Sequence, residues 1–305
     1  MSEPNLKLNE QSKRPVEFRS PAPRESVDAP SAPAAAVRGM HRITEVLAGK
    51  RFALLGFDHL ASDRIVAAFE RVRAHARVVA GDAGHPGLSP LARFDGCIVN
   101  ASSQLNAEGL RPDEVLIRSG KPGLLVGSRE EMIDHALNIA AATCDFVVEP
   151  WEPEELLFRA YRVCRHFEAA GDSPASARGG QATILVADDD PTTTMLMTAM
   201  LKSLQMTSWI ARDGAEALRL ARELRPDVML LDLQMPEMDG FEVLSALRND
   251  PVTRALPIIL LTVSHAETDI ARGFSLGADD FVTKPFHPLE MMARVRRLLR
   301  PQRAD

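Results

Sequence analysis

The residues with the clearest chemical potential stand directly behind short apolar runs. Asp188, Asp189 and Asp190 follow Ile184-Leu185-Val186-Ala187, and Asp232 follows the run from Val228 to Leu231. A hydroxyl, Thr262, stands behind Ile258 to Leu261, and an amine, Lys284, behind Phe281-Val282-Thr283. Two carboxylates about 4 Å apart repel by roughly 4 kcal/mol at an effective dielectric near 20. Three of them on one edge call for a cation, and an oxygen-only donor set with room for water suits Mg²⁺. Asp232 is the best placed nucleophile: a carboxylate attacking a phosphoryl donor beside a metal gives an aspartyl phosphate. Lys284 supplies a second cation for the transferring group, and Thr262 a hydroxyl donor.

That chemistry requires the strand ends to meet. Short runs such as Ile184 to Ala187 are expected to be strands buried on both faces. Helical periodicity separates them, as in Met197, Met200, Leu201 and Leu204 of the segment from Thr192. Asp213-Gly214 turns the Trp209-Ile210-Ala211 strand into a further helix, and Pro288 to Leu299 closes the region with another. Strands alternating with helices imply βαβ units and a parallel sheet, whose ligands bind beyond the carboxyl ends of the strands.

The stretches Ile184-Leu185-Val186-Ala187-Asp188-Asp189-Asp190-Pro191, Leu231-Asp232-Leu233-Gln234-Met235-Pro236-Glu237-Met238-Asp239-Gly240, Thr262 and Phe281-Val282-Thr283-Lys284-Pro285-Phe286 closely resemble the receiver domain of two-component response regulators, over about 182–301. The resemblance implies a CheY-like fold with Mg²⁺ held by Asp188, Asp189, Asp232 and the backbone carbonyl of Gln234. It implies Asp232 as the phosphoacceptor, Thr262 and Lys284 as switch hydroxyl and phosphate-binding amine, and Phe281 as the aromatic whose rotamer follows Thr262. Asp190 and Asp239 are assigned to capping and turn roles. Val263 stands where the family has a small residue, which predicts slower reaction with small phosphodonors.

The middle of the chain repeats the pattern without the chemistry. Phe52 to Asp58 lines up with Ile184 to Asp190, and Asp95 to Asn100 with Asp227 to Asp232. Asp145 to Pro153 lines up with Asp280 to Pro288. A spacing of 132 residues separates Gly56 from Asp188 and Asn100 from Asp232, and 135 separates Glu149 from Lys284. Gly56 and Phe57 replace the acidic pair, Asn100 the acceptor, Gly127 the hydroxyl and Glu149 the lysine. Asn forms no acyl phosphate and Glu149 repels phosphate, so a degenerate receiver is expected there.

The expected fold is α/β, with two flavodoxin-like (βα)5 doubly wound parallel-sheet domains in tandem. The expected division is a disordered arm at 1–40, a degenerate pseudo-receiver at 41–170, a linker at 171–181 and a phosphoacceptor receiver at 182–305. Lys plus Arg number 36 against 42 Asp plus Glu, a net charge of −6, which speaks against a nucleic-acid binder. No apolar run reaches the length of a bilayer crossing, and the polar start carries no signal peptide, so a cytoplasmic location is expected. Cys97, Cys144 and Cys164 are read as buried thiols, and His41 and His135 as surface residues. The cationic stripe Arg294, Arg296, Arg297 and Arg300 is read as a solvated face or an inter-receiver salt-bridge surface. The Met195, Met197 and Met200 helix is read as core and dimer-face packing.

The expected function is that of a response regulator taking a phosphoryl group from a histidine kinase or histidine phosphotransfer protein. Its only catalysis would be its own phosphorylation and dephosphorylation. Output is expected through protein contacts: a homodimer through the receiver face of helix 4, strand 5 and helix 5, or an effector protein. No GG(D/E)EF signature or helix-turn-helix follows the last helix, so nucleic acid and membrane are not expected as partners. A non-phosphorylated scaffold and an aspartyl-phosphate hydrolase are the alternatives.

Overall fold

Each apolar run becomes a parallel strand, and each amphipathic stretch a helix laid across it. The computed structural model describes residues 32–79, 89–103, 110–139, 144–169, 181–263 and 267–299. Most of the arm expected at 1–40 and nearly all of the 171–181 linker lie outside those residues. The first half contains α1 (Ala32–Leu47), β1 (Arg51–Leu55), α2 (His59–Glu70), β2 (His75–Val78), β3 (Gly96–Asn100), α3 (Pro112–Ser119), β4 (Gly123–Gly127), α4 (Arg129–Ile139), β5 (Cys144–Val148) and α5 (Pro153–Ala169). The second contains β6 (Thr183–Ala187), α6 (Pro191–Ser203), β7 (Thr207–Ala211), α7 (Gly214–Leu224), β8 (Val228–Asp232), α8 (Gly240–Asn249), β9 (Ile258–Thr262), α9 (Glu267–Ser275), β10 (Asp280–Thr283) and α10 (Pro288–Leu298).

Two five-stranded sheets result, β2-β1-β3-β4-β5 and β7-β6-β8-β9-β10, and every strand pair is parallel. Both follow the 2-1-3-4-5 order of the flavodoxin and CheY type, with the ligand edge at the strand carboxyl ends. Central strands β8 and β9 are buried along their whole length, which is why their sequence shows no alternation. Edge strand β7 leaves Trp209 half exposed. Helix starts are fixed by side-chain caps: Asp190 accepts the Thr192 and Thr193 amides ahead of α6. Asp239 and Glu242 form a reciprocal capping box on α8. The capping roles assigned to Asp190 and Asp239 are thus observed.

The two halves meet along one face. α4 packs on α10, α5 on α9, and α1 on both α5 and α9. α1 corrects the expected arm boundary, since residues 32–40 open a helix that continues to Leu47. Gly39 is its point of close approach: a Cβ there would stand 3.3 Å from the Ala271 carbonyl oxygen. Arg294 and Arg297 are buried in ion pairs that reach Asp145 across the contact, whereas Arg296 is exposed. Of the two readings of the cationic stripe, the salt-bridge surface therefore describes Arg294 and Arg297. The homodimer expected through this face is corrected for the same reason, because the chain's own first half already covers α9, β10 and α10.

Two further expectations change. His135 is buried, not superficial, because its Nδ1 lies 2.7 Å from Asp113, which also accepts from Asn138 at 3.0 Å. Met195 is 71% exposed, so of the three methionines only Met197 and Met200 serve the core. The three cysteines are free and buried, as read from the sequence. Among the described residues, no helix is long and apolar enough to cross a membrane.

Candidate functional site

The carboxyl edge of the second sheet gathers the polar residues that the sequence placed behind its strands. Asp188 and Asp189 leave β6, Asp232 ends β8, Thr262 ends β9 and Lys284 follows β10. One oxygen from each of Asp188, Asp189 and Asp232 lies within 4.8 Å of the others. Lys284 Nζ donates to Asp188 Oδ2 at 2.8 Å and to Asp232 Oδ2 at 2.7 Å. Asp188 is fully buried, Asp232 nearly so, and Asp189 is exposed. The cluster thus has two desolvated walls and one side open to solvent.

Local backbone holds the acids in place. The Asp190 amide donates to Asp188 Oδ1 at 3.0 Å, and the Gln234 amide reaches Asp232 Oδ1 at 3.3 Å. The Lys284 amide donates to the Thr262 carbonyl at 2.6 Å, tying the ends of β9 and β10 together beside the buried Thr262 side chain. Gly240 is required by a close approach: a Cβ on it would stand 2.2 Å from the Asp232 carbonyl oxygen. Only a glycine lets α8 begin against the end of β8.

The electrostatics are those of a crowded, half-neutralised acid cluster. Burial pushes the Asp232 carboxyl above the ordinary carboxylate range, and Asp188 adds to this, against the opposing pull of Lys284. Burial works against the Lys284 charge, but its hydrogen bonds to Asp188 and Asp232 outweigh this and raise its pKa. The donor set is hard, all-oxygen and over-supplied with negative charge, so it fits a divalent cation of the Mg²⁺ type. Phe281 lies apart from the acids: it is buried, edge-on to Phe274 at 5.4 Å, with the Arg159 guanidinium 5.0 Å from its ring centre. Five of the six side chains singled out thus share the edge, and the sixth faces the other half. Arg159, 121 residues before Asp280, was not anticipated for any role.

The matching edge of the first sheet carries no such cluster among its described residues. β1 runs into Gly56 and Phe57, β3 ends at Asn100, β4 at Gly127, and Glu149 follows β5. The Asn100 side-chain oxygen is taken up by the Ser102 amide and hydroxyl at 2.9 and 2.8 Å.

Comparison with known proteins agrees with the second sheet. The family model for the response regulator receiver domain matches residues 184–296. The DNA-binding response regulator MtrA of Mycolicibacterium smegmatis is 44% identical over 117 residues, 38% of this chain and 50% of its own length. The DNA-binding dual master transcriptional regulator RpaA of Synechocystis sp. is 44% identical over 117 residues, 38% of this chain and 48% of its own. The chain therefore spans about half the length of these curated relatives. Among solved structures, the receiver domain of sensor histidine kinase PA1611 of Pseudomonas aeruginosa PAO1 holds a magnesium ion in its active site cleft. It is 30% identical with a TM-score of 0.38, covering 39% of this chain and 98% of that one.

These relatives overturn one expectation. A regulator acting through protein contacts alone, with nucleic acid excluded as a partner, disagrees with matched proteins named as DNA-binding regulators. The exclusion rested on a net charge of −6 and on finding no helix-turn-helix after the last helix; the charge is a sum over the chain, whereas contact with nucleic acid is made by a local surface. The acid cluster, its lysine, the strand order and the family match converge on one statement: residues 184–296 are a response regulator receiver domain.

Proposed function

We propose that the second half, 182–305, is a phosphoacceptor receiver with Asp232 as the acceptor. The observation that carries this is the Lys284 ammonium shared between Asp188 and Asp232, with Asp189 beside them. Asp188, Asp189, Asp232 and the Gln234 carbonyl would hold Mg²⁺, which when bound neutralises charge on the transferring phosphoryl group. An Asp232 oxygen forms the new bond to phosphorus while the bond from phosphorus to the donor's leaving group breaks, giving an acyl phosphate. Lys284 turns from Asp232 toward the phosphoryl oxygens, and the Thr262 hydroxyl donates to another of them. The chemistry is confined to the chain's own Asp232; water later releases phosphate.

The first half, 41–170, is read as a degenerate copy. Its strand order supports this, as do Gly56, Phe57, Asn100, Gly127 and Glu149 at the positions of the reactive groups. The names of the relatives support control of a DNA-binding function as the output.

The test is incubation of the full chain with Mg²⁺ and acetyl phosphate, followed by mass spectrometry. One phosphoryl group on Asp232, absent from Asp232→Asn, is the expected result. Sustained turnover of the donor would favour a hydrolase, and no adduct at all a scaffold. A mobility-shift assay on genomic DNA fragments, with and without beryllofluoride, tests the output.

A further inference from the structure

The contact between the halves is built twice over, in related copies. Asp145 and Asp280 stand at the starts of β5 and β10, and Glu155, Arg159 and Arg162 of α5 recur 135 residues later as Glu290, Arg294 and Arg297 of α10. All eight are at least nine-tenths buried. Four acids face four arginines, so the group is neutral as a whole. Arg159 Nη1 meets Asp280 at 3.0 Å, and Arg294 Nη1 meets Asp145 at 3.7 Å. Arg297 pairs with both aspartates. Each half also lays one arginine over the other half's phenylalanine: Arg159 over Phe281 at 5.0 Å and Arg294 over Phe146 at 4.2 Å. Phe158 of α5 stacks on Phe274 of α9. This is the geometry of an isologous interface, made within one chain.

The same strand that supplies this contact ends at the acid cluster. β10 begins with Asp280 and Phe281 in the charged group, and Lys284 follows its last residue. Four residues of strand span roughly 13 Å, so the contact and the site are joined by one short rigid element. A cleft of about 70 Å³ lies alongside, lined by Arg159 and Glu155 from one half and Phe281, Thr283 and Glu290 from the other.

We propose that residues 32–169 are the receiver's built-in partner, sensing the state of Asp232 through β10 and the eight-charge contact, which loosens when Asp232 carries a phosphoryl group. Drawing Lys284 toward a phosphoryl group shifts the end of β10. The carbonyl of Phe281, which accepts from Arg159 at 3.4 Å, shifts with it. A network whose charges cancel at one geometry loses complementarity on displacement, and buried arginines and carboxylates tolerate little of it. The inference rests on the proposed phosphoacceptor role of Asp232.

Hydrogen exchange on the full chain, with Mg²⁺ and with or without beryllofluoride, tests it. The expected result is faster exchange in 32–47 and 144–169 as well as within 182–299, all absent from Asp232→Asn. Changes confined to 182–299, or slower exchange in the first half, would overturn the coupling while leaving the receiver reading intact. No change anywhere, together with no adduct from acetyl phosphate, would overturn the receiver reading and this inference with it. Gly39→Leu supplies a second measurement, because its side chain must wedge α1 from α9. It should raise exchange in α1 and α9 without beryllofluoride while Asp232 still gains its adduct; unchanged exchange there counts against the contact.

Discussion

Replacing Lys284 by methionine removes the ammonium that bonds to Asp188 and Asp232 while keeping the length of the side chain. The oxygens of Asp188 and Asp232 lie within 4.8 Å of each other, and Lys284 bonds to both. At that separation two charges repel by roughly 3.5 kcal/mol at an effective dielectric near 20. Breaking a buried pair by removing one partner costs about 3–5 kcal/mol. A loss of about 3 kcal/mol corresponds to roughly 6–12 °C in melting temperature for a unit of 150–250 residues. A divalent ion should restore what the ammonium supplied. The assay is thermal unfolding of wild type and Lys284→Met in EDTA and in millimolar Mg²⁺. The variant should melt well below wild type in EDTA, and Mg²⁺ should raise it more than it raises wild type. If the two proteins melt together in EDTA, or gain equally from Mg²⁺, the acids are not the repelling cluster described here.

Three other outcomes are expected. Asp232 has a raised pKa in the metal-free fold, so the native state binds the extra proton between the ordinary carboxylate pKa and that raised value; its own contribution to stability is therefore lost as pH rises through the folded pKa. Mg²⁺ competes with that proton, so its affinity should fall as pH drops through the same value, about tenfold per unit below it, and calorimetric titrations showing a flat profile would contradict this. Gly240→Ala places a methyl group against the Asp232 carbonyl oxygen and should cost about 1–3 kcal/mol in urea unfolding; an unchanged midpoint would refute the close approach. Val263 is about half exposed just beyond Thr262, and Val263→Ala should be labelled faster by acetyl phosphate; equal rates would remove Val263 as a barrier.

The sequence made the second sheet legible because β6, β8, β9 and β10 are buried runs, each ending in or followed at once by a polar residue with a job at the edge. Asp190 and Asp239 were readable as caps for a similar reason, since the capping carboxylate precedes its helix directly. His135 was not, because its partner Asp113 lies 22 residues away on another helix. Arg159 and Arg162 carried no such signal, since periodicity does not tell a helix face against water from one against four carboxylates. One signal was present: the Asp, Glu, Arg, Arg set recurs at the same 135-residue spacing that separates Glu149 from Lys284, in a copy that has lost its reactive groups. Charges that persist where the chemistry is gone point to a shared structural task.

The covalent connection between the halves changes what their contact has to achieve. Eleven residues separate Ala169 from Gln181, and a short tether confers an effective concentration in the ~millimolar range. Two such surfaces on separate molecules would need micromolar affinity to meet at cellular abundance, whereas joined in one chain they need only about millimolar affinity. Poised near half occupancy, the closed form would respond to a perturbation of about 1.4 kcal/mol with a tenfold change in its ratio to the open one. Weakness, in a surface that never has to find its partner by diffusion, becomes sensitivity.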